Sequence, residues 1–147
     1  GIMERGGEVR AKVVSNRRKK NLQTEIRKHV AAGSAVYTDA LMSYQGLNED
    51  FKHAVIDHAT GYVEGRVHTN CMENFWSILK RAIKGTYVSV EPFHLFRYLD
   101  EQVFRYNNRK LSGDSARFER LTSHVLGKRL TYAEVTGKVG ATPCYSH

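Results

Sequence analysis

Ala35-Val36-Tyr37-Thr38-Asp39 is a run suited to a β-strand, opened just after Gly33 and closed by a carboxylate. Further along stands Asn70-Cys71-Met72-Glu73-Asn74-Phe75-Trp76-Ser77-Ile78-Leu79-Lys80-Arg81. Its spacing is helical. Met72, Trp76, Leu79 and the later Ile83 form one apolar stripe, while Glu73, Ser77, Lys80 or Arg81, and Lys84 fall on the other side. A carboxylate at a strand end and another on a helix can jointly hold divalent metal. Two such ions about 3.5–4 Å apart activate a water or hydroxyl and stabilise the leaving oxygen of a phosphodiester.

The surrounding pattern alternates strands and helices. Residues 1–4 and 8–14 read as two strands joined by a tight Arg5-Gly6-Gly7 turn, with Val9, Ala11 and Val13 alternating against Arg10 and Lys12. Ser15-Asn16 offers turn or cap chemistry, and Arg17-Arg18-Lys19-Lys20 reads first as a solvated loop, with DNA contact the lesser alternative. Leu22, Ile26 and Val30 recur at helical spacing, with His29 near the end and Gly33 beyond. After the strand 35–38 come a short helix over 41–47 and a strand over 53–57. A loop follows at 59–67. The helix that begins near Cys71 is expected to stop at Gly85. A second strong helix spans 91–107, burying Phe93, Phe96, Leu99, Val103 and Tyr106, and a third spans 115–127. Hairpin, helix, strand, helix, strand is a mixed α/β order, a sheet with helices packed on it.

The 147 residues suffice for one domain with a substantial core. The formal net charge of +8 and the pI near 9.6 favour polyanionic partners. That charge is concentrated: between Phe75 and Leu130 stand eleven Lys/Arg against five Asp/Glu. Acidic candidates within so basic a chain suggest a catalyst that handles nucleic acid. Cys71 and Cys144 form neither a metal-binding spacing nor a disulfide framework, which suits a reducing, intracellular compartment. No apolar run reaches the length of a membrane span.

Each candidate has a plainer structural reading. Thr38-Asp39 is also a cap for a helix starting near Leu41. Asn70-x-x-Glu73 has the spacing of a capping box, and the helix dipole favours a carboxylate there. Trp76 reads as core. Arg97 and Arg105 lie on one helix face and suit either DNA or a solvated pairing with Glu101. His58 and His68 suit structural hydrogen bonding first and contact with phosphate or water second. Asp57 is a minor acidic candidate. Glu73 and Lys80, two helical turns apart, share a face on or near which Asn70 and Ser77 also lie. A carboxylate holding metal and a cation two turns along would match a scissile phosphate and its neighbour.

Taken together, Tyr37-Thr38-Asp39, Tyr44, Leu47, His58, His68-Thr69-Asn70-x-x-Glu73-x-Phe75-Trp76-x-x-x-Lys80-Arg81, Gly85-Thr86-Tyr87, Arg97-Tyr98-Leu99-Asp100-Glu101 and Phe104-Arg105-Tyr106-Asn107-x-Arg109 carry a resemblance. They resemble the catalytic domain of bacterial insertion-sequence transposases of the DDE type, in the branch marked by the His-Thr-Asn…Glu-x-Phe-Trp…Lys-Arg helix. The resemblance runs from the first hairpin to about Arg109. It implies a ribonuclease-H-like mixed sheet with flanking helices and three acidic metal ligands. Asp39 would be the second acid and Glu73 the third, with Asn70 a secondary candidate for the third position. Lys80 matches a DNA-contacting residue, and His68, Arg81, Lys84, Arg97 and Arg105 complete the expected DNA face.

The implied reaction uses Mg²⁺ or Mn²⁺ to hydrolyse a transposon end, after which the freed 3′-hydroxyl attacks target DNA. The implied partner is double-stranded DNA, at transposon ends and target, with a homodimer as a family-level expectation and the bacterial cytoplasm as the setting. The chain departs from the pattern in one respect. The first acid belongs on a strand before Gly1, and Glu4 and Glu8, flanking the hairpin turn, are poor substitutes. The chain 1–147 is therefore expected to be one domain lacking its first strand. Residues 1–110 would form the catalytic core and 111–147 a C-terminal helical extension and tail, with little or no strand transfer in isolation. Two alternatives stay open: a non-catalytic DNA-binding module derived from a transposase, and a nuclease or resolvase of the same fold.

Overall fold

A computed structural model describes residues 1–56 and 70–136. Asp57, His58, His68 and the loop expected at 59–67 lie outside the described residues, as does Cys144. The chain divides into two compact units, Gly1–Asn107 and Asn108–His147.

The first unit is mixed α/β with two small sheets. β1 (Ile2–Met3) pairs antiparallel with β2 (Val9–Arg10), Ile2 opposite Arg10 and Met3 opposite Val9. Between them Gly7 donates to the Glu4 carbonyl at 3.0 Å, a turn that needs positive φ at Gly6 (+74°) and gets it without steric penalty. Both strands are shorter than the sequence pattern suggests. β2 has only the two-residue β1 to pair with, so beyond Arg10 the alternation continues without a ladder and Val13 is exposed. The Asn107 side chain stands in as a partner for Val9. Its Oδ1 accepts the Val9 N–H at 2.8 Å, and its Nδ2 donates to the Val9 carbonyl at 2.9 Å.

α1 (Lys19–His29) takes in the end of the basic run, so Lys19 and Lys20 form a helical first turn rather than a loop. Asn16 organises the entry, its Oδ1 accepting from the Arg18 N–H and the Asn21 amide. β3 (Ala35–Thr38) has the bounds its sequence indicates, and pairs in parallel with β4 (Lys52–Val55), Val36 opposite His53 and Thr38 opposite Val55. The helix expected over 41–47 is instead two 3₁₀ turns, Met42–Tyr44 and Leu47–Glu49, broken at Gly46 (φ +90°). Buried Gln23 of α1 explains the break. Its amide donates to the carbonyls of Ser43 and Gln45, at 3.0 and 2.8 Å, and the first of these is a group that a helix over 41–47 would have paired internally.

α2 (Asn70–Arg81) is followed without interruption by a π-helical turn, Ala82–Thr86, so Gly85 does not end the helix. The second strong helix begins at a 3₁₀ turn, Pro92–His94, and runs as α3 (Leu95–Asn107). Proline at the first position suits that start, because its missing N–H would have had no helical partner. Phe93 consequently sits ahead of the α3 face and is exposed.

Two apolar clusters hold this unit. One joins Ile26, Leu47 and Phe51, with Ile2, Val30, Val36 and Tyr44 packed against them. The other joins Val9, Phe75, Leu79, Leu99 and Tyr106, with Met72, Trp76 and Ile83 at its margin. The buried face of α2 is therefore centred on Phe75 and Leu79 rather than on the stripe from Met72 to Ile83. Phe75 is 1% exposed and meets Trp76 and Tyr106 edge-on, at centroid distances of 5.1 and 5.3 Å.

The second unit contains α4 (Gly113–Val125) and α5 (Tyr132–Thr136). α4 starts and stops two residues earlier than the pattern 115–127. Gly113 enters with φ +85°, and Arg117 binds back to Asp114 at 2.6 Å and to the Asn108 carbonyl. α5 opens on a capping box in which Thr131 and Glu134 bond one another's backbone N–H. Among the described residues no helix is long and apolar enough to cross a membrane.

Replacing Phe75 by Ala removes the centre of the α2 face. Urea unfolding should show a loss of about 3–5 kcal/mol, as for other buried aromatic truncations.

Candidate active site

Asp39 follows directly on β3 and is exposed. Its Oδ1 accepts the Leu41 N–H at 3.3 Å, a local turn contact that gives the carboxylate an orientation. Behind it, buried Thr38 fixes the strand end. The Thr38 hydroxyl lies 2.9 Å from both the Asp39 carbonyl and the His53 Nε2. A hydroxyl has one proton, so when it donates to the carbonyl it accepts from Nε2–H, which sets that tautomer of His53. The register explains the pair: His53 faces Val36, and Thr38 stands two residues on along the same face. Nothing in the sequence pattern marked His53 for this role. Tyr44 lies close by, its hydroxyl pushed above the usual tyrosine value by burial and then by the Asp39 charge. Leu41, Tyr44, Gln45, Asn48, His53 and Val55 help line an open cleft of about 370 Å³ beside this strand end.

Glu73 is in the first turn of α2 and is exposed, as are Asn70 in the same turn and Ser77 one turn further on. Lys80 and Arg81 occupy the last turn of α2, and Lys84 the π-helical turn; all three are exposed. Burial of Phe75 and Leu79 turns this polar edge outward, so Asn70, Glu73, Ser77 and Lys80 do share a solvent side. Cys71 is exposed on the same helix. The hairpin is a common neighbour of the two acid-bearing elements. A side chain at Gly1 would run into Met72 and Trp76 of α2, while the Arg5 guanidinium sits over the Tyr37 ring of β3 at 5.2 Å. Among the described residues no group of three or more His, Cys, Asp or Glu is arranged to hold a metal ion. Asp39 and Glu73 are the hard oxygen donors that Mg²⁺ or Mn²⁺ takes.

α3 carries Arg97 and Arg105. The Arg97 guanidinium lies over the Phe96 ring at 5.4 Å. Arg105 is ion-paired, its Nε 2.8 Å from Glu101 Oε1. The other carboxylate oxygen, Oε2, accepts the Tyr87 hydroxyl at 2.7 Å, and Tyr87 packs edge-on against Tyr98 at 4.6 Å. This network ties the segment after α2 to α3. Burial would raise the Glu101 carboxyl, but hydrogen bonds from Tyr87 and Arg105, with the Arg105 charge, hold it below the ordinary carboxylate value. The same bond to Glu101, helped by burial, raises the Tyr87 hydroxyl.

Beyond Tyr87 the backbone is strained. Val88 has φ +61°, the sole non-glycine residue with positive φ among the described residues. A β-branched residue there is a conformational outlier, at a cost of about 1–3 kcal/mol. The Ser89 N–H closes the turn onto the Tyr87 carbonyl at 2.6 Å.

A family model described as an ISXO2-like transposase domain matches residues 1–107. The chain is also 32% identical over 110 residues to an uncharacterized transposase-like protein of Haemophilus influenzae, covering 74% of this chain and 89% of that one. No solved structure matches the chain. The chain thus belongs to the ISXO2-like transposase domain family of insertion-sequence transposases.

The tether through Glu101 has a pH signature. Tyr87 is raised, so its contribution is intact below the unfolded tyrosine value and lost as pH rises through the folded one. Glu101 is lowered, so its contribution is present above the ordinary carboxylate range and lost as pH falls through the folded value. In Glu101→Gln, the tyrosinate absorbance of one residue should move to lower pH. An unchanged titration would show that Tyr87 is not held by Glu101.

Proposed function

We propose that the intact protein is a metal-dependent DNA transposase with a ribonuclease-H-like core, and that Asp39 and Glu73 are two of its three acidic ligands. Family membership over residues 1–107 carries this reading, since it embraces both acids and the basic last turn of α2. In the resemblance to DDE enzymes the first acid lies on the first strand of the sheet. Asn70, an oxygen donor one turn before Glu73, is the alternative occupant of the third position.

Asp39 and Glu73, with Asn70 in reserve, would hold Mg²⁺ or Mn²⁺. Bound there, the cation supplies an activated water or 3′-hydroxyl and stabilisation of the departing oxygen. The chain's own residues then position DNA. Lys80, two turns beyond Glu73, would take the phosphate next to the scissile one, and Arg81 and Lys84 would continue along the backbone. Arg97 would extend this face. Arg105, ion-paired to Glu101, would meet DNA with part of its charge already neutralised. Thr38 and His53 would stiffen the strand end so that the Asp39 carboxylate meets its partner without reorganisation.

Duplex DNA at transposon ends and target is the proposed substrate, with a homodimer bringing two ends together. Full-length protein should cut a duplex bearing its element's end and join it to target in Mg²⁺ or Mn²⁺. Asp39→Asn and Glu73→Gln should each lose activity on the order of 10³-fold or more, with duplex affinity largely kept. Cutting without joining would indicate a nuclease or resolvase. Binding with no cutting in any metal would indicate a DNA-binding module alone.

A further inference from the structure

The strained turn after α2 is not accounted for by packing. Val88 adopts φ +61° although its side chain is 80% exposed, so burial of its own isopropyl group does not compensate the conformation. The turn is nonetheless built. A π-helical turn, Ala82–Thr86, leads into it, with the Tyr87 N–H bonded to the Ala82 carbonyl at 3.1 Å. The Tyr87 hydroxyl pins it to Glu101 on α3 at 2.7 Å, and the Tyr87 ring rests against Tyr98. The Ser89 N–H closes it at 2.6 Å. Strain that the surroundings over-determine, next to a π-helical turn, is typical of a ligand-contacting element.

The chemistry around the tip selects the ligand. From Lys80 to Val90 the chain carries Lys80, Arg81 and Lys84 and no acidic residue. All three cations are exposed, and so are the small or polar Gly85, Thr86 and Ser89. A single apolar side chain is too little surface to dock another protein, which calls for a contiguous patch of hundreds of square ångströms. It is enough for a wedge. Proteins that distort DNA insert one apolar side chain between base pairs while neighbouring cations hold the phosphates.

We propose that Val88 is an apolar wedge that unstacks a base step of bound duplex DNA, held rigidly by the Tyr87–Glu101 tether and flanked by the phosphate contacts of Lys80, Arg81 and Lys84. The inference rests on the DNA-binding part of the function proposed above and adds to it a residue that distorts the substrate.

The full 147-residue chain is titrated with a short blunt duplex carrying 2-aminopurine in its terminal base pair. Anisotropy reports binding and 2-aminopurine fluorescence reports unstacking. Wild type should bind and raise the fluorescence. Val88→Gly relieves the backbone while removing the wedge, and should bind within about threefold of wild type while losing most of the fluorescence rise. Val88→Asn, whose side chain tolerates positive φ but is polar, should behave like Val88→Gly. Lys80→Ala should weaken binding and reduce the salt slope by about one. A full fluorescence rise in Val88→Gly and Val88→Asn at saturating protein overturns the wedge and leaves DNA binding standing. Absence of binding by wild type overturns both.

Discussion

Phe75 sets the rotation of α2 about its own axis, and most of what the domain offers to solvent follows from that rotation. The ring is enclosed by Val9 of β2, Leu99 and Tyr106 of α3, and Leu79 one turn along α2. With Phe75 and Leu79 inward, Asn70, Glu73, Ser77 and Lys80 have nowhere to go but outward. The bond between Asn107 and Val9 extends the same constraint to the backbone. It satisfies the Val9 N–H and C=O that β1 does not pair, with an amide from the end of α3, so strand, α2 and α3 lock together. The hairpin in turn touches both Tyr37 and the start of α2, which makes it the common support of the strand ending at Asp39 and the helix carrying Glu73.

The parts of this arrangement legible in the sequence are those written as local pattern. β3 is a β-branched and aromatic run between a glycine and an aspartate, and its bounds are as read. α1, α2 and α3 announce themselves by spacing. The parts that were not legible depend on partners distant in the chain. The short helix over 41–47 gives way to two 3₁₀ turns where Gln23, some twenty residues earlier, takes the Ser43 carbonyl that it would have used. The hairpin strands stop early because β1 offers only two residues to pair with. The centre of the α2 face falls on Phe75 rather than Trp76 because Val9 and Tyr106 approach from that side. Gly85 looked like a helix end, but the chain passes through it in a wider turn whose carbonyl at Ala82 is claimed by Tyr87.

The same division applies to the candidate site. Asp39, Glu73, Asn70 and Lys80 were visible as residue types at suggestive positions, and the exposure of all four agrees with a surface that meets a ligand. The Thr38–His53 pair and the Tyr87–Glu101–Arg105 network were not visible, because each joins segments whose contact no spacing rule reveals. Both sit immediately beside the proposed chemistry. One anchors the backbone that presents Asp39, and the other fixes the segment that follows Lys80 and Arg81. A domain that must hold acids and cations at set positions against a polyanion needs such anchors, since charged side chains in water have little positional rigidity of their own.

The proposal that Asp39 and Glu73 act on one metal site can be tested on the chain itself. Manganese titration of the chain with NMR detection tests it most directly. Paramagnetic broadening should centre on Asp39, Glu73 and their sequence neighbours, and be abolished in Asp39→Asn and in Glu73→Gln. Broadening that leaves either residue untouched, under conditions where duplex DNA is still bound, would contradict it.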